Sequence, residues 1–219
     1  MARDYSALTG ADLLEGIRKT HRIRTALDVL AILAVAGFLI GCVFLIKLNL
    51  HNTTDIIFGV IGIALCVLVL WVIFGKISEH VRTAAAPEKS RLFRKYGTPD
   101  EIAARIAAEY SEPLFAEKST LICRSFILNQ NDFESFIPLD RTLLVYRKES
   151  STNGIKHNVY LVVHDAFGDS FEYPFKLGKK HKQVMTEAMQ EISRQSPQCA
   201  VGYSPANLSY VKKNAKAPE

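Results

Sequence analysis

Two long apolar runs dominate the pattern of the chain. Val29 to Ile46 holds eighteen residues without a charge, and Ile56 to Gly75 holds twenty more. A helix of about 20 apolar residues rises about 30 Å, the thickness of a bilayer's hydrocarbon core. Backbone polar groups in lipid must be satisfied internally, so each run is expected to be a transmembrane helix. Only Lys47 to Asp55 separates them, which is enough for a turn and predicts a helical hairpin.

After the hairpin the pattern changes. Lys76 to Lys95 is basic and mostly helical in pattern, with a break near Pro87. Thr98-Pro99-Asp100-Glu101 then supplies a capping Thr, a Pro at the first helical position and a Glu at the third. Ile102, Ala103, Ile106, Ala107 and Tyr110 follow at helical spacing, and Pro113 ends the run. Strand-like segments come next: Thr120–Leu128, Phe133–Ile137, Leu143–Lys148, His157–Val163 and Ser170–Phe175. Turns at Asn129–Asp132, Ser150–Gly154 and Asp165–Asp169 connect most of them, which implies an antiparallel meander. A last helix from about Lys179 to Gln195 carries the stripe Val184, Met185, Ala188, Met189 and Ile192, suited to covering one face of the sheet. Asn207–Tyr210 is expected to add one more turn before a disordered basic end. The expected fold class is therefore α+β: a transmembrane hairpin, then an antiparallel five-stranded sheet with a flanking N-terminal helix and a closing C-terminal helix. The boundaries are residues 1–24 for an N-terminal segment, 25–76 for the hairpin, 77–97 for a basic linker and 98–219 for the α+β domain.

The net charge of +5 matters by position. Arg3, Arg18, Lys19, Arg22 and Arg24 precede the first run. Lys76, Arg82, Lys89, Arg91, Arg94 and Lys95 follow the second, and the connecting loop carries only Lys47. Lys and Arg favour the cytoplasmic side, so both termini are expected there. These charges are assigned to topology and anionic headgroups, not to nucleic acid. Residues 1–8 look disordered, and Thr9 with Asp12 resembles a capping box that opens a short helix carrying Leu13, Leu14 and Ile17.

Small residues mark possible helix-packing faces: Ala34, Gly37 and Gly41 in the first run, Gly59 and Gly62 in the second. The simplest use is packing of the two helices on each other, with homodimerisation through them as the alternative. No charge lies in either run, and Asp28 falls at the edge, where solvation is expected. The four cysteines, Cys42, Cys66, Cys123 and Cys199, lack metal or redox spacing and read as small buried hydrophobes. Leu39-Ile40-Gly41-Cys42 matches a lipoprotein signal motif, but the apolar run continues past it, so packing is the preferred reading. Asn52-Thr53-Thr54 is a bare glycosylation match in a short loop.

No catalytic motif, metal set or cofactor signature appears, so no catalytic residue is named, and no metal or cofactor is expected. His164 and Asp165 are neighbours and point to opposite faces of a strand. The best candidate patch is Lys176, Lys179, Lys180 and Lys182 at the start of the last helix, where free N–H groups and the helix dipole favour an anion such as a headgroup phosphate. The hairpin, the YGTPDEIAARI helix, the strands around IPLDRTLLVYR and a late VGYS resemble an uncharacterised family of small bacterial two-span membrane proteins with a pleckstrin-homology-like cytoplasmic domain. That resemblance implies a fold and a location but no activity. The function expected is a membrane-anchored, non-enzymatic module holding a protein partner, with anionic-lipid recognition by the lysine patch as the alternative. Membrane lipids, an unidentified protein and a second copy are the expected partners.

Overall fold

A computed structural model describes residues 5, 7–48, 53–152 and 155–216. The side chains of Thr53, Asp55, Thr152, Ile155, Lys156 and Lys179 are outside that description. Asn52 of the glycosylation match, the Asn153-Gly154 turn and the last three residues also fall outside it. The chain forms two compact units: residues 17–87, and residues 1–16 together with 88–219.

The first of these units holds two helices, α1 (Gly10–Leu48), whose opening turns belong to the other unit, and α2 (Thr53–Ala85). Both are long and apolar enough to cross a membrane. Their apolar side chains are mostly exposed: Leu30, Phe38, Ile40, Phe58, Leu68 and Trp71 all lie above half of their free surface. Soluble monomers rarely expose apolar surface on this scale.

The other unit is α+β, with an N-terminal start that the sequence pattern does not announce. Tyr5 is buried, packs edge-on against Tyr110 and Phe133, and donates to Gln130 O at 3.2 Å. The expected disorder of residues 1–8 is thus corrected at Tyr5, because an aromatic ring in a polar flank finds an apolar seat. Thr9 and Asp12 do form a capping box, with Thr9 N to Asp12 Oδ2 at 3.0 Å and Asp12 N to Thr9 Oγ1 at 3.2 Å.

Past the 3-10 turn Pro87–Lys89, α3 (Arg91–Tyr96) starts at Ser90, whose hydroxyl caps Leu92 N and donates to Glu134 Oε1 at 2.6 Å. Helix α4 (Pro99–Glu109) follows with a complete capping box: Thr98 N donates to Glu101 Oε2 at 2.8 Å and Glu101 N to Thr98 Oγ1 at 3.3 Å. Replacement Thr98→Ala removes one half of that box and is expected to cost about 1 kcal/mol, read as a shift in the denaturation midpoint of the folded chain.

Among the described residues, eight strands replace the expected five. β1 (Phe115–Glu117), β2 (Thr120–Ile122), β3 (Phe126–Asn129) and β4 (Asp132–Pro138) form an antiparallel sheet in chain order. The run Thr120–Leu128 is two strands, since Cys123 N bonds to Phe126 O at 2.9 Å across a tight reversal at Arg124-Ser125. After the turn Leu139–Arg141, β5 (Thr142–Thr152), β6 (Ile155–Asp165) and β7 (Ser170–Phe175) build a second sheet, and β8 (Ala200–Val201) joins β5 in parallel. The extra strands are two to four residues long, too short to print a period.

Helix α5 (Lys179–Gln195) occupies the expected span. Its Met185, Ala188 and Ile192 close the main core with Ile122, Ile137, Val145, Leu161, Val163, Tyr173 and Phe175, while Val184 and Met189 pack at its margin. Where a single turn was expected, α6 (Pro205–Asn214) runs ten residues from its Ser204 cap. It seats Val211 on Leu143 and Leu144. The second sheet is thus covered by α5 on one face and by α6 on the other.

Candidate functional site

The lysine patch surrounds a cavity of about 210 Å³ at the start of α5. Lys176 and Lys182 line it, joined by Arg147 of β5 and His181. Lys180 is exposed and does not line it, and the side chain of Lys179 lies outside the described part of the structure. Gly178 opens the helix without a side-chain cap, at φ 128°, where a side chain would be strained. The sequence reading missed the counter-charge. Glu117, at the end of β1, accepts from His181 Nδ1 at 3.0 Å and lies 3.8 Å from Lys176 Nζ. Sequence spacing could not show it, since 64 residues separate Glu117 from His181. The patch is therefore a partly neutralised cluster with an acidic member.

A second ionic cluster is buried and internally satisfied. Asp165 is fully buried at the end of β6, and the Lys95 side chain is 6% exposed. Asp165 Oδ1 accepts from Phe167 N at 3.0 Å and Asp169 N at 2.8 Å, an Asx turn that links β6 to β7. Its Oδ2 accepts from Tyr96 Oη and from Lys95 Nζ at 3.4 Å, and Lys95 also reaches Asp169 at 2.5 Å. Burial and the Asp165 charge push the Tyr96 hydroxyl well above its ordinary range, so it stays a donor. The sequence pattern assigns Lys95 to membrane topology. It is instead the buried partner of two carboxylates, because α3 carries it against the β6–β7 turn.

His164 does face away from Asp165. Its ring stacks on Tyr146 at 5.8 Å, Tyr146 meets Tyr203 at 5.1 Å, and its Nε2 is buried without a hydrogen bond. Burial lowers the His164 pKa, with Asp165 opposing. The unfolded chain then binds this proton more readily than the folded one. Stability from His164 is full above about pH 6.5 and is lost as pH falls through its folded value. Denaturation midpoints in a pH series are expected to fall as pH drops below about 6.5, and His164→Phe to flatten that fall.

All four cysteines are free and buried, in keeping with their sequence reading. Burial pushes the thiols of Cys123 and Cys199 up to about 12, so neither is a thiolate near neutral pH.

In the helical unit the small residues divide. A Cβ at Gly59 would lie 2.3 Å from Ile46 Cγ1, and one at Gly62 would lie 2.8 Å from Cys42 Sγ. Gly59 and Gly62 therefore let α1 and α2 meet, and Cys42 is part of that contact. Gly37 and Gly41 have nothing within 4 Å, and Ala34 is exposed on the same face. The Ala34–Gly37–Gly41 face thus takes no part in the hairpin contact, contrary to the simplest expectation. Asp28 is not simply solvated either: its Oδ2 is buried 3.6 Å from His80 Nε2, and His80 Nδ1 lies 3.0 Å from His21 Nδ1.

Among the described residues no three His, Cys, Asp or Glu side chains gather as a metal site. No protein-family model, no curated protein and no solved structure matches the chain.

Proposed function

We propose that this is a two-span membrane protein with both termini cytoplasmic, whose α+β unit is a non-enzymatic module that holds a protein partner at the membrane. The observation that carries this reading is the uncovered length of the second sheet. β7 pairs with β6 only from Val159 to His164, and β8 pairs with β5 only at Leu144 and Val145. Beyond Val145, β5 has no second partner strand among the described residues, and an open strand edge is a template for another chain. The proposal extends to a pleckstrin-homology-like domain of the kind found in small bacterial two-span proteins on the antiparallel strands and the closing α5 alone, since two four-stranded sheets do not single out that fold. The open face of Ala34, Gly37 and Gly41 suits self-association through α1.

Headgroup recognition by Lys176, Lys179, Lys180 and Lys182 is the second reading, favoured by the cavity they partly line. Glu117 weighs against it, since its carboxylate already engages Lys176 and His181. The test places a photo-cross-linker at Ser150, Lys180 or Lys213 of the full chain in its native membrane; all three are exposed. Discrete protein adducts are expected. Lipid adducts from Lys180 alone, with none to protein, would establish the headgroup reading instead. A tag near Asn52 is expected to be reachable from outside intact cells and one at the C-terminus unreachable; the reverse pattern would place the α+β unit outside.

A further inference from the structure

We propose that α6, with the short strand β8 before it, is a latch on the second sheet that protonation of His164 releases. The proposal stands apart from the tethering reading. The two faces of the sheet are held unequally. Val145, Leu161, Val163, Tyr173 and Phe175 face α5 and belong to the main core. Strand neighbours point to opposite faces, so Leu144, Tyr146 and His164 lie on the other side. Leu144 pairs with His164 across the strands and packs against Val211 of α6. A small cluster closes that side: Leu143, Leu144 and Val211 are buried, with Leu208 and Tyr210 of α6 at its margin. Tyr210 Oη also donates to Gln198 O at 2.9 Å, and Lys216 N to Ala166 O at 2.8 Å. Segments with few buried apolar contacts open first. The latch can therefore lift while the core beneath α5 stays closed.

His164 is joined to this latch through one ring. It stacks on Tyr146, and Tyr146 meets Tyr203, which lies between β8 and Ser204, the cap of α6. The His164 Nε2 is buried and has no hydrogen-bond partner among the described residues. An imidazolium carries a proton on both nitrogens, so the closed latch would bury an N–H without an acceptor. The charges around the ring give no relief. Asp165 points to the other face and already accepts from Lys95 and Tyr96, and Asp169 is held by Lys95. Lys148 of β5 and Glu172 of β7 engage each other at 2.6 Å. Asp140 and Arg141, before β5, are exposed and lie 3.9 Å apart. Ser170 is the β7 residue opposite His164, and α6 carries Lys212 and Lys213 but no acidic residue. Burial accordingly holds the His164 pKa below its ordinary value, with Asp165 opposing. Once the latch lifts, water reaches the ring and the proton binds with ordinary affinity. Proton uptake therefore favours the open form.

The test follows amide exchange of the full chain in bilayer discs from about pH 7.5 to about pH 5, the range in which imidazole titrates, corrected for the pH dependence of free amides. One proton taken up on opening changes the opening constant by up to about tenfold per pH unit. Protection at Val211 and Ala215 is expected to fall on that slope below about pH 6.5, while Ala188 and Ile192 of α5 keep theirs. His164→Phe and His164→Gln, uncharged throughout the range, should each abolish the slope, and protected α5 amides verify that they fold. The imidazole resonances of His164 in the parent chain supply a measurement that needs no variant: they should titrate over the range in which α6 opens. Loss of α5 protection in step with α6, a slope that persists in the folded variants, or an imidazole that titrates while α6 stays closed would overturn the proposal.

Discussion

Replacement Asp165→Ala is expected to cost the α+β unit roughly 3–5 kcal/mol, the scale of breaking a buried ion pair. Two losses combine. The backbone N–H groups of Phe167 and Asp169 lose the oxygen that both share, and the Lys95 ammonium and Tyr96 hydroxyl lose a buried acceptor. Lys95 keeps Asp169, whose side chain is 36% exposed and therefore better solvated. Replacement Asp165→Asn separates the losses, since its amide oxygen still closes the turn while the charge is gone. It is expected to cost less than Ala. Adding Lys95→Met to Asp165→Asn should recover part of that cost, because the uncompensated ammonium leaves with the carboxylate. Denaturant midpoints of the four proteins measure this. A cost below about 1 kcal/mol for Asp165→Ala would mean that the cluster contributes little.

The same cluster marks where sequence reasoning stops. Local signals are legible: the apolar runs predict two helices, the Thr98 box starts α4, and the stripe from Val184 to Ile192 finds its core. The turn at Asp165–Asp169 is also visible in the sequence, and β7 falls on its expected residues. The partner of Asp165 is not visible. Lys95 lies 70 positions away in a stretch of like charges, where a buried lysine and a surface lysine look the same. Glu117 escapes for a related reason. It ends a three-residue strand without a period, and only the folded sheet brings it to His181. The edge of β5 is a property of what stops beside it, and no residue of β5 encodes where β7 and β8 end. Tyr5 is buried against rings that belong to positions 110 and 133, so its role is written in them as much as in its own neighbourhood.

Gly59→Val and Gly62→Val are expected to loosen the contact between α1 and α2, whereas Gly37→Val and Gly41→Val leave it intact. At Gly59 the first added carbon meets Ile46 at 2.3 Å and has the Cys42 carbonyl 3.5 Å away, so relief requires Ile46 to change its place. At Gly62 it meets the Cys42 sulfur at 2.8 Å. Overpacking of this kind costs about 1–3 kcal/mol per site, and helices in lipid have no hydrophobic driving force between them to offset it. The open side of α1 behaves differently. A Val at Gly37 or Gly41 fills space that nothing within the chain occupies, so the hairpin tolerates it. Spin-label distances between α1 and α2 in bilayer discs read the first effect. Self-association of the full chain in the same discs reads the second, and under the proposed use of the Ala34–Gly37–Gly41 face it should fall in the Gly37 and Gly41 variants only. Lengthened distances in Gly37→Val would show that α1 meets α2 through that face. Unchanged distances in Gly59→Val would mean that Ile46 swings clear and that a small residue there is not required.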